Sequence, residues 1–459
     1  MSQIPHKSSR RAFLGQTAVA SAAGVAFPTI IPASALGRSG RPAPSNRITL
    51  AVIGTGNQGF NDIKSFLLDD RVQLVAVCDA NRESAGYWDG KIGGREPARR
   101  LVDEHYAKKA PAAETYRTCG ASADFREILG RDDIDAVEIC TPDHWHALMV
   151  VEACKAKKDI YCQKPLSLTV AEGRSMSYAV NRSKVVFQTG SQQRSDHRFR
   201  RACELVRNGR IGDLRTVRVG QPSGRTDFAK TGGHKKPEPI PAGFDYPMWL
   251  GPAPDAPYAP ARCHVNFRWI YDYSGGQVTD WGGHHPDCAQ WGMGTELTGP
   301  VEIRNAKGMF PPDDLWNTAT EYSFEAVYEN GVTMIISNKE KMGVTFEGTK
   351  GKIYVNRGEL EADPKALLDS KIGPEGIHLY KSDDHFRNFI DCVTSREPTA
   401  APAEVAHRSI TICHLGNIAM RLNREKLRWD PRTEQIIGDD EAARMLSRPY
   451  RAPWTLGAI

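Results

Sequence analysis

The sequence lacks the features that would assign it to several specialised classes of protein. Beyond the N-terminal region, no segment reaches the roughly 18 apolar residues that a membrane-spanning helix needs. The formal net charge is only +5, and three of the positive charges lie in the first 35 residues, so the rest of the chain gives no indication of nucleic-acid binding. With 25% charged and 40% hydrophobic residues, the 459 residues suffice for two large globular domains.

The chain also lacks any Cys-x-x-Cys pair, although it contains ten cysteines. Several of these cysteines lie inside apolar runs, as Cys78, Cys140 and Cys162 do. Cysteines in such runs usually behave as small buried hydrophobic residues. We therefore expect mostly free thiols rather than the disulfide framework of a small secreted domain.

The first 35 residues have the pattern of an export signal. Arg10 and Arg11 precede an interrupted apolar stretch from Ala18 to Ile31, and a small-x-small site follows at residues 33–35. The pattern predicts a twin-arginine signal peptide over residues 1–35 and a linker over 36–45. We therefore expect a periplasmic or otherwise exported protein, with no membrane span after the signal is removed. A disordered amphipathic leader is the alternative.

A dinucleotide-binding motif follows this region. The apolar strand at residues 48–53 leads into Gly54-Thr55-Gly56-Asn57-Gln58-Gly59, and a helix is expected from Gly59 to Leu68. Glycines allow the backbone to approach a pyrophosphate, and the start of the helix offers free N–H groups. The motif predicts that Gly54, Gly56, Asn57, Gln58 and Gly59 bind a dinucleotide, with a glycine turn of another α/β protein as the alternative.

The residues after the second strand indicate which dinucleotide is bound. Asp79 ends the strand at residues 72–78 and lies 20 residues beyond Gly59, the usual distance for an acid that binds the ribose hydroxyls. A carboxylate repels a 2′-phosphate, so NAD is favoured, while the nearby Arg82 leaves NADP possible. Residues 83–113 are polar and predict an insertion with one helix.

Strands and helices continue to alternate up to residue 188, which predicts a parallel sheet with right-handed crossovers. Ligands of such sheets bind at the carboxyl ends of the strands. Two strand ends, near residues 140 and 162, therefore contribute expected cofactor contacts. These contacts are Thr141, Pro142, His146, Gln163 and Lys164.

The second half of the chain has a different pattern. Strand-like runs at residues 301–306, 320–328, 333–338, 344–348 and 352–355 predict a large, mainly antiparallel sheet. The fold class is therefore α/β, with a Rossmann domain at residues 46–192 and an α+β domain at 193–459. Residues 221–262 are rich in Pro and Gly and predict a long loop over the site.

Three motifs occur in the order that resembles the Gfo/Idh/MocA oxidoreductase family. They are the glycine loop, Lys164-Pro165, and Gly275-Gly276-x-x-x-Asp280-x-x-x-His284. The family's Glu-Lys-Pro is here Gln163-Lys164-Pro165, which keeps the lysine and removes a negative charge beside it. The resemblance implies an oxidoreductase that acts on a CH–OH group of a sugar or polyol with NAD, and a homo-oligomer.

The resemblance also implies catalytic roles for Lys164, Asp280 and His284. In these roles His284 removes the hydroxyl proton, Lys164 stabilises the oxygen, and Asp280 orients His284 or binds a second hydroxyl. Asp280 and His284 are four residues apart and would share one face of a helix. A hydrogen-bonded core pair is the alternative for these two residues.

Four further residues are candidate substrate contacts, because aromatic faces suit sugar C–H surfaces and arginines suit hydroxyl or carboxylate groups. They are Arg194, Arg268, Tyr271 and Trp281. We expect no metal site, since adjacent histidines such as His284 and His285 rarely point the same way on a helix.

Three functions agree with the sequence. The first is an exported sugar or polyol dehydrogenase with tightly held cofactor, because free NAD is not expected outside the cytoplasm. The second is a glycoside-cleaving enzyme that oxidises the sugar only transiently. The third is a non-catalytic NAD- or sugar-binding protein.

Overall fold

The computed structural model describes residues 46–109 and 118–457. The predicted signal peptide and linker lie outside these residues. The chain from Ile48 onward forms one compact unit. No helix within the described ranges is long and apolar enough to cross a membrane.

The first half contains a six-stranded parallel sheet in the order β3-β2-β1-β4-β5-β6, which confirms the Rossmann prediction. The strands are β1 (Ile48–Ile53), β2 (Val72–Cys78), β3 (Gly120–Ser122), β4 (Ala136–Ile139), β5 (Asp159–Cys162) and β6 (Phe187–Thr189). All four residues of β4 and of β5 are buried. Helices cover both faces of such a sheet, so its strands consist of nearly continuous apolar residues. These strands can therefore be recognised in the sequence as short apolar runs.

Five helices accompany this sheet. They are α1 (Asn57–Phe66), α2 (Arg95–Lys109), α3 (Phe125–Leu129), α4 (Asp143–Lys155) and α5 (Val170–Ser183). A capping box of Thr169 and Glu172 begins α5. Helix α4 begins directly after Pro142, so His144 and His146 belong to its first turn.

The second half is built on a nine-stranded sheet in the order β13-β12-β11-β7-β10-β9-β8-β14-β15. Its strands are β7 (Leu214–Gly220), β8 (Glu302–Met309), β9 (Glu321–Val327), β10 (Thr333–Ser337), β11 (Gly343–Gly348), β12 (Gly351–Asn356), β13 (Glu359–Asp363), β14 (Lys426–Asp430) and β15 (Gln435–Ile437). Strand β7 runs parallel to β10, and the other neighbouring pairs are antiparallel. The predicted large, mainly antiparallel sheet is confirmed.

Seven helices belong to the second half. They are α6 (His197–Arg207), α7 (Tyr246–Leu250), α8 (Gln277–Asp280), α9 (His285–Met293), α10 (His385–Ser395), α11 (Ala403–Arg421) and α12 (Asp440–Arg444). Helix α11 packs against α5 of the first half and against β8 and β9 of the second. It therefore joins the Rossmann sheet to the large sheet through one buried helix.

All ten cysteines lie within the described ranges, and none of them forms a disulfide. Nine are buried, and Cys140 is half-buried. The expectation of free, apolar thiols is thus confirmed for the whole set.

Candidate active site

A cavity lies where β1, β2, β4 and β5 end, which is the edge of the sheet predicted to bind ligands. It brings together most of the residues proposed from the sequence. Those that line it are Gly54, Gly56, Asn57, Gln58, Asp79, Thr141, Pro142, Gln163, Lys164, Arg268 and Asp280. Residues from both halves of the chain therefore meet in one space.

The glycine loop has the shape that a pyrophosphate requires. Gly54 has a φ of +95°, and a Cβ atom there would lie 2.4 Å from the carbonyl oxygen of Cys140. A Cβ on Gly59 would lie 2.2 Å from the carbonyl oxygen of Gly54. Helix α1 starts after Gly56, which has no side chain to cap the first N–H groups. The loop thus offers close backbone approach and a helix N-terminus to the phosphates of NAD.

Asp79 lines the cavity just beyond the end of β2. Its Oδ2 accepts hydrogen bonds from the Thr55 backbone N–H at 2.8 Å and from the Thr55 hydroxyl at 3.1 Å, and its Oδ1 accepts one from the Asn81 N–H at 2.8 Å. Burial raises the pKa of this carboxyl, while these hydrogen bonds oppose the shift. The carboxylate is therefore fixed in place and keeps lone pairs for ribose hydroxyls.

Arg82, which left NADP possible, does not line the cavity. Its side chain is exposed and lies over Gly243, where a Cβ atom would be 3.1 Å from the Cβ of Arg82. The structure therefore gives no support to Arg82 as a cofactor contact, and Asp79 is the charged group at this end of the cavity.

Aromatic residues from two segments cover the glycine loop. Tyr87 stacks on His264 with ring centroids 4.3 Å apart, and a Cβ on Gly56 would lie 3.3 Å from the Tyr87 ring. Trp88 stacks on Phe228 at 4.1 Å. The backbone N–H of Trp88 also donates to Asn57 Oδ1 at 2.8 Å.

The cover therefore joins the insertion after β2 to the long loop before α8. The sequence predicted the loop but gave no sign of the ring pairs. Their members are more than 100 residues apart, so no local pattern could show them.

Lys164 and Asp280 form an ion pair in the cavity, with Nζ 2.8 Å from Oδ1. Both side chains are 18% exposed, and Arg268 Nε lies 3.9 Å from the same oxygen. Burial alone would raise the pKa of Asp280, but Lys164 and Arg268 hold it below its usual value. Asp280 is therefore ionised at neutral pH and fixes the lysine ammonium group.

The predicted helical pair of Asp280 and His284 does not form. Helix α8 ends at Asp280, α9 begins at His285, and His284 lies between them with φ −118° and ψ −83°. The expected orientation of His284 by Asp280 is thus replaced by the Lys164–Asp280 pair. The reason is local, because the glycines at 282 and 283 interrupt the helix before His284.

His284 still lies near the lysine. A Cβ on Gly283 would be 2.8 Å from the Cβ of Lys164, so this segment packs directly on it. The His284 ring is 6% exposed, and its Nδ1 has no hydrogen-bond partner among the described residues. Burial, and then the charge of Lys164, lower the pKa of His284 well below its usual value. The imidazole is therefore neutral at physiological pH.

Asp143 is a cavity residue that the sequence analysis did not select. It is the first residue of α4 and is 4% exposed, and its Oδ2 has no partner in the described part of the chain. Burial raises the pKa of Asp143 to about 7. The Thr-Pro turn at the end of β4 was the signal available for it, because that turn places the next side chain at the strand end.

Two predicted site residues have structural roles outside the cavity. His146 is buried, with Nδ1 2.8 Å from the carbonyl oxygen of Pro165 and Nε2 2.9 Å from that of Thr141. Burial lowers the pKa of His146, so the neutral ring donates its one N–H to one of these two carbonyls. It ties two strand ends together and has no nitrogen left for a cofactor. Arg194 is 3% exposed and pairs with Asp287 at 2.5 Å and Glu296 at 2.8 Å. Its guanidinium is therefore used within the protein core.

The two predicted aromatic contacts also lie outside the cavity lining. Tyr271 lies beneath the guanidinium groups of Arg421 at 3.4 Å and Arg448 at 4.0 Å, which occupy its ring. Trp281 follows Asp280 and carries the guanidinium of Arg357 4.9 Å from its ring centroid. Of the four proposed substrate contacts, Arg268 is the one that lines the cavity.

Two family profiles cover most of the chain. The profile of the Gfo/Idh/MocA oxidoreductase family, NAD-binding Rossmann fold, matches residues 48–191. The profile of the C-terminal alpha/beta domain of the same oxidoreductase family matches residues 196–456. The two matches meet in the segment that connects the two sheets.

Individual relatives agree with these profiles. Myo-inositol 2-dehydrogenase of Thermotoga maritima is 24% identical over 407 residues, which are 85% of this chain and 99% of that protein. Alpha-N-acetylgalactosaminidase of Shewanella oneidensis is 31% identical over 147 residues, which are 31% of this chain and 29% of that protein.

Solved structures show the same fold. The aldose-aldose oxidoreductase of Caulobacter crescentus matches with a TM-score of 0.57 and 16% identity, over 83% of this chain and 98% of that one. The glycine loop, the Lys164–Asp280 pair and both profile matches lead to one assignment: the chain belongs to the Gfo/Idh/MocA oxidoreductase family and has its NAD-binding Rossmann domain.

Proposed function

We propose that the protein oxidises a CH–OH group of a sugar or polyol with NAD as the hydride acceptor. The observation that carries this proposal is the Lys164–Asp280 pair at 2.8 Å, which lies in the same cavity as the glycine loop. The names of its relatives, an inositol dehydrogenase and an aldose-aldose oxidoreductase, support hydroxyl-bearing substrates.

The cavity residues divide the work of the reaction. NAD, when bound, supplies the nicotinamide that accepts the hydride. Lys164 donates a hydrogen bond to the substrate oxygen and stabilises the negative charge that develops there. Asp280 holds the ammonium group in place through its ion pair, and the stacked rings of the cover exclude water from the reacting atoms.

A neutral side chain near Lys164 takes the hydroxyl proton. His284 is the proposed base, because its lowered pKa leaves the imidazole unprotonated and the residue before it, Gly283, packs on Lys164. Asp143, with a pKa of about 7, faces the cavity and is a second group that can hold the proton near neutral pH.

A substrate panel tests the proposal. The protein with NAD bound is mixed with aldoses, inositols and other polyols, and the absorbance of the reduced nicotinamide is followed in single turnover. We expect at least one hydroxyl-bearing compound to reduce the cofactor, and Lys164→Met to slow that step by about 10²–10⁴-fold. No reduction by any member of a broad panel would refute the proposed reaction.

Glycoside cleavage through transient oxidation is a second candidate. It is favoured by the 31% identity to an alpha-N-acetylgalactosaminidase over 147 residues. Release of p-nitrophenol from a panel of glycosides, without net formation of reduced cofactor, would distinguish it from the dehydrogenase.

Export and tight cofactor retention complete the proposal. The twin-arginine pattern at Arg10 and Arg11 supports transport of a folded protein with its cofactor to the periplasm. The cover over the glycine loop supports slow exchange of that cofactor, because the stacked Tyr87 and His264 line the cavity beside the loop.

A further inference from the structure

Two acidic side chains lie in the interior of the Rossmann domain, directly behind the glycine loop. Asp62 on α1 and Glu138 on β4 are both 0% exposed. One oxygen of each carboxyl group and the Sγ of Cys140 lie within 4.8 Å of one another. Buried acids require a specific partner, because an ionised carboxylate loses its hydration in the interior.

Asp62 has two close partners, both side-chain amides, and the Cys140 Sγ lies 4.0 Å from its Oδ2. Its Oδ1 accepts a hydrogen bond from Gln58 Nε2 at 2.7 Å, and its Oδ2 accepts one from Gln163 Nε2 at 2.6 Å. Burial raises the pKa of Asp62, and the hydrogen bonds and the charge of Lys164 oppose that shift. Short bonds from two donors are typical of an ionised acceptor. Gln163 in turn accepts the backbone N–H of Lys164 through Oε1 at 3.3 Å.

Asp62 thereby links two parts of the cavity that are far apart in sequence. Gln58 belongs to the glycine loop, Gln163 precedes the lysine, and both glutamines line the cavity. Asp62 itself does not line it, so it acts on the site only through these amides. The neutral Gln163 donates through its amide N–H at any pH, whereas the Glu of the resembled Glu-Lys-Pro motif could donate only through the O–H of its protonated form.

Glu138 has no such partner. Neither of its carboxyl oxygens accepts a hydrogen bond from a donor group of the described residues, and the side chain within hydrogen-bond reach of it is the carboxyl group of Asp62. The titratable groups that interact with Glu138 or Asp62 are Cys140 beyond β4, Tyr161 and Cys162 on β5, and Lys164. Lys164 is the single cation among these described groups, and its charge acts on Asp62. Two adjacent carboxylates in such a place cannot both be ionised.

We propose that Asp62 and Glu138 share one proton, and that the ionised Asp62 positions Gln58 and Gln163 so that the cofactor loop and Lys164 are held together. Glu138 then donates its O–H to Asp62, and both acids are positioning residues. The part of this inference that concerns Lys164 rests on the function proposed above, whereas the shared proton and the link to the glycine loop do not.

The shared proton has a consequence for stability. Burial, and then the charge of Asp62, raise the pKa of Glu138 well above its usual value. The folded protein therefore keeps a proton that the unfolded chain loses as the pH rises above about 4.3. Stability falls with rising pH until Glu138 ionises in the folded state. Glu138→Gln removes this ionisation and keeps an N–H donor facing Asp62.

Three variants of the full chain test the proposal. Asp62→Asn can accept from one glutamine only, so we expect NAD affinity and the rate of hydride transfer each to fall by about 10–100-fold. The double variant Asp62→Asn with Gln163→Glu again pairs one carboxylate with one amide, in reversed positions. We expect it to bind NAD at least tenfold more tightly than Asp62→Asn alone. Asp132→Asn, on the exposed surface of the same domain, is the control.

Thermal unfolding between about pH 5 and pH 9 tests the proton. The midpoint of Glu138→Gln should rise relative to the wild type as the pH increases, and that of Asp132→Asn should not. If Asp62→Asn does not fold, two other measurements test the proposal. The pH series on Glu138→Gln tests the shared proton. Titration of Gln163→Glu with NAD tests the positioning role, because the new carboxylate is expected to repel Asp62 and weaken NAD binding.

Each outcome supports or overturns the inference. A midpoint difference that does not change with pH would exclude the shared proton. Unchanged NAD affinity in Asp62→Asn would exclude the positioning role of Asp62. If the wild-type protein contains one metal ion per chain and Glu138→Gln contains none, a cation rather than a proton lies between the two carboxyl groups. NAD affinity and unfolding need no substrate, so a failure of the proposed dehydrogenase reaction alone would leave these readouts intact.

Discussion

The partner of Asp280 is the sharpest point at which the structure departs from the sequence pattern, and a double-mutant cycle can decide it. Asp280→Asn keeps the shape of the side chain and removes the charge that faces Lys164 at 2.8 Å. A hydrogen bond to a charged group contributes about 1.5–3 kcal/mol, and the pair is only 18% exposed, so solvent screens it little. We expect hydride transfer to slow by about 10- to 150-fold.

The cycle compares this loss in three backgrounds. In Lys164→Met the ammonium group is absent, so Asp280→Asn should cost little more, and the coupling energy should be about 1.5–3 kcal/mol. In His284→Ala the same change should keep most of its effect, with a coupling below about 0.5 kcal/mol. Single-turnover formation of reduced cofactor with NAD already bound measures each rate.

The opposite pattern would refute this argument. A coupling that is large between Asp280 and His284 and small between Asp280 and Lys164 would show that the carboxylate orients the imidazole during the reaction. Binding of NAD to every variant is the control, because none of the three residues is assigned to the pyrophosphate or ribose.

Four further predictions concern the rest of the chain. Asp79→Ala should weaken NAD binding by about 1–3 kcal/mol and affect NADP less, as measured by calorimetry on the apo-protein. Arg194→Met should lower the free energy of unfolding by about 3–5 kcal/mol in denaturant titration, because it leaves Asp287 and Glu296 without their cation, while KM stays unchanged. Asp143→Asn should remove the inflection near pH 7 from the profile of kcat/KM, since that carboxyl ionises as the pH rises through about 7. Replacement of Arg10 and Arg11 by lysine should retain the folded protein in the cytoplasm, as judged by cell fractionation.

The parts of the fold that could be predicted depend on local signals. The glycine loop, its flanking strand and Asp79 lie within about 30 residues and follow one physical requirement, the close approach of backbone to a phosphate. Helix α11 is the opposite case, because 16 of its 19 residues are buried and no apolar stripe distinguishes one face. The local sequence pattern therefore does not predict this helix.

The parts of the site that could not be predicted depend on distant partners. Arg194 has the chemistry of a substrate contact, but Asp287 and Glu296, about 100 residues later, occupy it. Asp280 and His284 have helical spacing, and two glycines between them end the helix. The spacing of motif residues along the sequence indicated which of them meet at the site. Their hydrogen-bond partners depend on how distant segments of the chain pack together.

The cover over the glycine loop has a consequence for the residence time of the cofactor. It consists of stacked side chains, Tyr87 on His264 and Trp88 on Phe228, rather than of strands in either sheet. We therefore expect its opening to be a local event with a free energy below that of global unfolding. We expect changes at these four rings to alter the rates at which NAD enters and leaves the site without altering the residues around Lys164.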